Sequence, residues 1–216
     1  MSATVRNIAP GQAPGVSPLR LNLGCGRNIM PGWVNVDQVA LPGVDLVQDL
    51  NNMTRNTIWG MAGWDARFAE SSVDQFMMSH TIEHITNTLS LMQELHRVAK
   101  PDALCTIRVP YGSSDDADED PTHVRRYFLQ SWLYFSQPAY FRADYGYRGD
   151  WQPETIELIV LASDFNGLTY DVAMNRVRMR RNVVREMIAT LRAVKPIREP
   201  KRELQVQPII KFVLLP

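Results

Sequence analysis

The sequence predicts an α/β fold with a mostly parallel central sheet. The first observation is a set of short apolar runs, at residues 19–23, 34–36, 44–47, 73–78 and 103–109, each bounded by Gly, Pro, Asn or Asp. Such runs are typical of buried parallel strands. The second is a helical pattern over residues 86–99, which Pro101 is expected to end. Strands that alternate with helical segments indicate crossover connections.

The connection between the first two strands is unusually short. After the glycine turn, only residues 27–33 separate the two apolar runs, and these residues include Pro31 and Gly32. A parallel crossover usually needs a dozen residues or more. We therefore expect either a helix reduced to one turn or an irregular connection.

The second half of the chain is less regular. Residues 111–153 mix acids, aromatics and glycines, which favours a long insert with short helices. Loose alternation favours a strand over residues 168–179, and an apolar stripe of Val183, Met187, Leu191 and Val194 favours a helix. Residues 208–215 are typical of a final buried strand. The 216 residues suit one domain, at 19–216, after a flexible arm at 1–18.

Composition excludes several classes of protein. The net charge is zero and the isoelectric point is about 6.9, so no strong field favours nucleic acid or an anionic membrane. Cys25 and Cys105 lie in apolar runs, which indicates a reducing compartment without disulfides. Neither a secretory h-region nor a run long enough to span a membrane is visible. We expect a soluble, cytoplasmic protein.

The strongest functional signal is a strand, a glycine turn and a second strand that ends on an acid. Leu21-Asn22-Leu23-Gly24-Cys25-Gly26 is followed by Val34-Asn35-Val36-Asp37. Glycines let the backbone approach a ligand closely, and an acid at a strand tip can accept hydrogen bonds from ribose hydroxyls. The layout predicts a pocket for an adenosine-type ligand. The alternative is a tight turn with the acids as helix caps.

Four motifs in order resemble class I S-adenosylmethionine-dependent methyltransferases. They are LNLGCGRNIMPGWVNVD, VDLVQDLN, SSVDQFMMSHTIEHI and LMQELHRVAKPDALCTIRVP, and the resemblance covers about residues 19–125. The first motif is most similar to that of a small bacterial and phage group of such methyltransferases. The resemblance implies a Rossmann-like fold with helices on both faces of the sheet, and S-adenosyl-L-methionine as cofactor.

The same resemblance assigns roles to single residues. The glycine loop would lie under the methionine and ribose parts, Asp37 at the ribose hydroxyls, the pair Asp49-Leu50 at the adenine, and the segment after the fourth strand at the sulfonium. Asp65-Ala66 is an alternative to the adenine pair, because residues 51–63 look like an insertion. The cofactor-binding residues implied are Asn22, Gly24, Cys25, Gly26, Asp37, Asp49, Leu50, Ser79 and His80.

Two histidines are candidate catalytic residues. His123 follows the fifth strand, in a segment (111–127) expected to form a lid over the pocket, and its ordinary pKa suits proton removal near neutral pH. The alternative is that Asp120 caps a helix and His123 packs beneath it. His80 would line the pocket.

We expect no metal. Residues 80–84 match an HxxEH zinc signature, but the motif needs a continuous helix and no third ligand follows at a familiar spacing. The acidic run 115–120 is interpreted as a solvated loop rather than a Mg²⁺ or Ca²⁺ site. A basic cluster, Arg176, Arg178, Arg180 and Arg181, is likewise interpreted as a solvated face.

The function predicted is S-adenosylmethionine-dependent methyl transfer to an unidentified small-molecule or macromolecular acceptor. Residues 79–82 lack the Pro-Pro signature of amino-directed DNA methyltransferases, and no Pro-Cys nucleophile is present, so nucleic acid is not indicated. One alternative is a protein that binds the cofactor without transferring methyl. Another is a nicotinamide-dependent oxidoreductase, which the missing third glycine of the loop disfavours.

Overall fold

The computed structural model describes residues 18–52 and 68–216. The strands of these residues form a single sheet of eight. They are β1 (Arg20–Leu23), β2 (Val34–Asp37), β3 (Leu46–Val47), β4 (Val73–Ser79), β5 (Ala99–Pro110), β6 (Trp151–Leu161), β7 (Val184–Ala193) and β8 (Ile209–Leu215). Their order across the sheet is β3-β2-β1-β4-β5-β7-β6-β8.

The sheet is mostly parallel, as predicted. β1 pairs in parallel with β2 and β4, β3 with β2, β5 with β4, and β8 with β6. Only β7 is antiparallel to its neighbours β5 and β6. The carboxyl ends of β1 to β4 therefore lie along one edge of the sheet, where ligands bind in open α/β folds.

Four helices lie in the described residues: α1 (Thr88–Val98), α2 (Asp116–Glu119), α3 (Ala162–Phe165) and α4 (Tyr170–Met179). Short 3-10 turns occur at Leu50–Asn52, Ile82–His84, Leu129–Phe135, Gln137–Tyr140 and Arg202–Leu204. The face of α1 that packs on the core carries Leu91, Met92, Leu95 and Val98, all fully buried. The predicted helix at 86–99 is confirmed apart from its ends.

Pro101 does not end α1, contrary to the sequence prediction. The helix ends at Val98, and Ala99 is already extended, with φ −62° and ψ 136°. Pro101 lies inside the irregular first part of β5, where the pairing shifts register against β4. A proline disfavours helical geometry in the residue before it, so it acts on Lys100 after the helix has ended.

In the C-terminal half, one predicted strand is a helix and one predicted helix is a strand. Residues 170–179 are helix α4 rather than a strand, because the buried Ala173, Met174 and Val177 have helical spacing. The predicted helix over Val183 to Val194 is strand β7. Met187 and Leu191 fit a period of two as well as a helix, and the buried Ala189 and Ala193 show that the period is two.

The last two strands of the sheet also differ from expectation. β6 was not predicted, although it buries Ile156, Leu158 and Val160 on one face. β8 is a strand as predicted but is not buried. It lies at the edge of the sheet, and Ile209 is 64% exposed because its outer side has no neighbouring strand among the described residues.

The connection from β1 to β2 is irregular and is held by a buried side-chain amide. Its residues form turns rather than a helix. Asn35 Oδ1 accepts hydrogen bonds from Met30 N (2.9 Å) and Asn22 Nδ2 (2.9 Å), and its Nδ2 donates to Met30 O (3.2 Å) and Trp33 O (3.3 Å). Backbone groups that a helix would have satisfied are thus satisfied by one asparagine.

Some predictions lie outside the described residues. These are the arm at 1–18 except for Pro18, nearly all of the insertion at 51–63, and the pair Asp65-Ala66. In the parts that are described, no helix combines the length and the apolar character needed to cross a bilayer.

We expect Asn35→Ala to destabilise the fold by several kcal/mol. The substitution leaves Met30 N–H without its partner and removes one of the two hydrogen bonds of the buried Asn22 amide, at about 1–3 kcal/mol for each hydrogen-bonding position left unsatisfied. Urea unfolding measures the change, and Asn166→Ala, at an exposed asparagine, is the matched control. A loss no larger than that of the control would contradict the structural role of Asn35.

Candidate functional site

A cavity of about 420 Å³ opens at the carboxyl ends of β1 to β4. Each of these strands, or the residue that follows it, contributes to the wall. The lining residues are Gly24, Asp37, Gln38, Gln48, Asp49, Leu50, Asn51, His80, Thr81, His84, Ile85 and Thr122. Five of the residues implied by the sequence lie on this wall: Gly24, Asp37, Asp49, Leu50 and His80.

Gly24 brings the loop after β1 against the end of β4. Its φ is +64°, and a Cβ atom there would overlap the side chain of Thr81. Thr81 is buried, and its Oγ1 donates to Leu23 O at 3.1 Å. Only glycine combines this backbone conformation with this close approach.

Asp37, the last residue of β2, holds the glycine loop. Its Oδ2 accepts a hydrogen bond from Gly26 N at 2.7 Å, and its Oδ1 accepts one from Val39 N at 3.0 Å. A carboxylate oxygen can accept two hydrogen bonds, so each oxygen keeps acceptor capacity for a ligand. Asp37 thus fixes the shape of the loop and presents negative charge to the cavity.

The Asp49-Leu50 pair forms another part of the wall. Asp49 Oδ1 accepts a hydrogen bond from Asn51 N at 2.8 Å, and its Oδ2 accepts one from Asn52 Nδ2 at 2.6 Å. Asp49 therefore also stabilises the turn Leu50–Asn52, which is the capping role considered as the alternative. Leu50 is 5% exposed and gives the cavity an apolar surface.

His80 follows β4 in a left-handed backbone conformation, with φ +52°. Its Nε2 lies 2.9 Å from Glu186 Oε1, and its Nδ1 lies 3.4 Å from Glu83 Oε1. The neighbouring Glu83 carboxylate is the main reason that the pKa of His80 is raised above 6.5, and the charge of Glu186 adds to this effect. The site therefore favours a positively charged His80.

His123, the predicted base, is not on the cavity wall. Its side chain is 9% exposed, and its Nδ1 lies 3.2 Å from Ala117 O. Its ring packs edge-on against His84, with 4.7 Å between the ring centroids, and His84 does line the cavity. The structure thus separates His123 from the cavity by one side chain.

The segment 111–127, expected to be a lid, is tied down at several points. Gly112 N donates to Tyr127 O at 2.7 Å, and Val124 N donates to Glu83 O at 2.9 Å. Thr122 brings this segment to the cavity wall. Whether it moves as a lid stays a prediction, but it does reach the cavity.

Four of the implied cofactor-binding residues support the wall without forming it. Asn22 is buried and donates to Asn28 O at 2.8 Å, while Gly26 is bonded to Asp37. Ser79 ends β4 just before His80. Cys25 is buried, and its burial, together with the charge of Asp37, raises its pKa to about 11, so that it is a neutral thiol at pH 7.

The sequence interpretation missed several residues that line the cavity. Gln38 follows Asp37, and Gln48 precedes Asp49, so their positions beside the predicted acids were the available signal. Thr81 lies within residues 79–84, the segment after β4 that was expected to face the ligand, and Ile85 follows directly after it. Asn51 ends the motif VDLVQDLN, and Thr122 lies in the segment 111–127 that was expected to cover the pocket, but neither residue was singled out.

Three potential metal ligands meet beside the cavity. Glu83, His84 and His123 each offer one ligand atom, and these atoms lie within 4.8 Å of one another. This set differs from the HxxEH signature of the sequence, in which the ligands would be His80 and His84, because His80 is not part of it and His123 is. The acidic run mostly binds protein groups: Asp115 pairs with Arg181, and Asp118 with Arg126.

Residues 21–107 match the family model described as a methyltransferase domain. No curated protein matches the sequence. Among solved structures, the chain is similar to a SAM-dependent methyltransferase from Archaeoglobus fulgidus, with 14% identity, a TM-score of 0.55, and 81% of this chain and 86% of that chain covered. The YcgJ protein from Bacillus subtilis has 14% identity and a TM-score of 0.48 over 82% of this chain and 93% of its own. The archaeal likeness supports the Rossmann-like class I fold.

We expect Gly24→Ala to be more damaging than Gly26→Ala. Both glycines have positive φ, so both substitutions cost about 1 kcal/mol of backbone strain. A Cβ at Gly26 meets no atom within 4 Å, whereas one at Gly24 overlaps Thr81, which adds about 1–3 kcal/mol of overpacking. Urea unfolding of both variants measures the difference. Equal losses would show that the contact with Thr81 does not constrain the loop.

Proposed function

We propose that the chain is an S-adenosylmethionine-dependent methyltransferase that holds its methyl donor in the cavity at the carboxyl ends of β1 to β4. The observation that carries the proposal is the meeting of Gly24, Asp37 and the Asp49-Leu50 pair on one wall. These residues come from three strand ends that are distant in sequence. The resemblance implied contact with one adenosine-type ligand for all of them.

The residues of this wall suit the parts of that donor. Asp37 has acceptor capacity for the two ribose hydroxyls, and charged acceptors make the stronger hydrogen bonds. Leu50 offers an apolar surface to the adenine ring, and Asp49 can accept from its exocyclic amine. Gly24 lets the loop lie directly against Thr81, and both residues line the part of the cavity expected to hold the methionine part.

The chemistry requires positioning more than covalent help. S-adenosylmethionine supplies a methyl group on a sulfonium, whose sulfur departs as a neutral thioether. The chain must hold the acceptor in line, exclude water and, for a protonated acceptor, remove one proton. These demands fix no residue type, so the acceptor stays unidentified.

We infer that the acceptor approaches the side of the cavity formed by His80, His84 and Thr122. His80 has a carboxylate near each ring nitrogen, which suits an imidazolium that orients an acceptor or balances its negative charge. His123 was the predicted base, and from its present position it would act through His84. A catalytic role for either residue stays a prediction.

Two other functions stay open to a direct test. A protein that binds the donor without transferring methyl would share the same cavity, and a nicotinamide-dependent enzyme would use the same edge of the sheet. A thermal-shift screen with S-adenosylmethionine, S-adenosylhomocysteine, NAD and NADP separates the ligand classes. The cytoplasmic location inferred from the cysteines stays a prediction.

We expect Asp37→Ala to weaken S-adenosylhomocysteine binding at least about tenfold for each ribose hydrogen bond lost, since each charge-assisted bond contributes about 1.5–3 kcal/mol. Titration calorimetry measures the affinity. Asp74→Ala is the matched control, because Asp74 lies near the amino end of β4, at the opposite edge of the sheet.

Calorimetry also separates a lost ligand contact from a disturbed loop. Asp37→Asn keeps one carbonyl oxygen as an acceptor but removes the charge, so its affinity should lie between those of the wild type and Asp37→Ala. Unchanged affinity in both Asp37 variants would exclude Asp37 as the ribose partner. No binding of either sulfur ligand to the wild type would overturn the proposed function.

A further inference from the structure

We propose that Glu83, His84 and His123 form a binding site for one divalent transition-metal ion, with Zn²⁺ as the ion that best fits these ligands. Each residue offers one ligand atom, and the three atoms lie within 4.8 Å of one another. Two imidazoles and one carboxylate are a ligand set that zinc adopts in catalytic sites. This inference goes beyond the proposed function and does not depend on it.

Glu83 is the observation that points to a bound cation. Its side chain is 2% exposed, and neither carboxylate oxygen accepts a hydrogen bond from the described residues. The nearest cationic group, Nδ1 of His80, lies 3.4 Å from Oε1, which is longer than the 2.7–2.9 Å of a charge-assisted hydrogen bond. A buried carboxylate that accepts no hydrogen bond is costly even beside the charge of His80, and a bound cation would remove that cost.

The two histidines are held as metal-binding histidines usually are. Nδ1 of His123 lies 3.2 Å from Ala117 O, and Nδ1 of His84 lies 3.3 Å from Thr122 O. A carbonyl oxygen can only accept, so both contacts suit a proton on Nδ1, and a neutral imidazole in this tautomer has a lone pair on Nε2 for a metal ion. A hydrogen bond from the second ring nitrogen to a backbone carbonyl commonly orients a metal ligand.

The separation of the ligand atoms is compatible with a small adjustment on binding. Zinc–nitrogen bonds of 2.0–2.1 Å place tetrahedral ligand atoms about 3.3 Å apart. The widest separation in the cluster would therefore shorten by up to about 1.5 Å, which rotation of the side chains can supply. Thr122 Oγ1, 2.9 Å from Nδ1 of His84, and the nearby Asp120 carboxylate add polar groups around the site.

The cluster borders the donor cavity, because His84 belongs to both. Three protein ligands leave a fourth coordination position for water or for a donor atom of a bound molecule. An ion here would therefore lie on the proposed acceptor side of the cavity.

The test uses the full chain after dialysis against a chelator, with Zn²⁺ as the probe and Co²⁺ as its spectroscopic substitute. Competition with a chromophoric chelator measures stoichiometry and affinity, and the visible absorption of Co²⁺ reports four-coordinate geometry. We expect one equivalent of Zn²⁺. Glu83→Gln, His84→Ala and His123→Ala should each weaken binding at least about a hundredfold.

Asp116→Asn is the matched control, since it removes an exposed carboxylate from the neighbouring acidic run and leaves the three ligands in place. Its affinity for Zn²⁺ should equal that of the wild type. Glu83→Gln keeps the size of the side chain, so it serves if an alanine variant does not fold. Failure of the wild type to bind Zn²⁺, equal affinity in all variants, or a loss confined to Asp116→Asn would overturn the site. None of these outcomes bears on S-adenosylhomocysteine binding, which is measured separately.

Discussion

The buried amides of Asn22 and Asn35 are the constraint on which the site depends. They satisfy backbone groups of Asn28, Met30 and Trp33, so β1 and β2 can lie side by side in parallel without a crossover helix. The carboxylate of Asp45 completes the network by accepting from Asn35 N at 2.9 Å. Because this connection is fixed, the glycine loop lies close enough to Asp37 for the backbone amide of Gly26 to donate a hydrogen bond to its carboxylate.

Each acid of the cavity wall has two roles, to hold its own loop and to accept hydrogen bonds from a ligand. Asp37 bonds the amide of Gly26, and Asp49 bonds the amide of Asn51, so each carboxylate shapes its own loop before any ligand arrives. Both keep acceptor capacity toward the cavity. This preorganisation lowers the cost of binding, because the loops need not be ordered by the ligand.

Charges link the far side of the cavity to the antiparallel part of the sheet. Arg108 on β5 donates from Nε to Glu186 on β7 at 2.9 Å, and Glu186 in turn contacts His80 after β4. Glu83 continues this line toward His84 and His123. Opposite charges therefore alternate from Arg108 through Glu186 and His80 to Glu83, and a change at Glu186 is expected to alter the charge state of His80.

The sequence by itself determined the parallel half of the sheet, the glycine turn and the acids at the strand tips. These features are local, since apolar runs and glycines act through their own backbone, and the five residues that they singled out, Gly24, Asp37, Asp49, Leu50 and His80, line one cavity. The sequence prediction was wrong for β7 and α4, because apolar residues spaced four apart fit both the helical period and the strand period of two. Only packing against neighbouring elements decides between the two. Tertiary structure alone brought His123 to Glu83 and His84 and decided that Thr122 is the residue of segment 111–127 that lines the cavity, since residues some forty positions apart meet only when the sheet has formed.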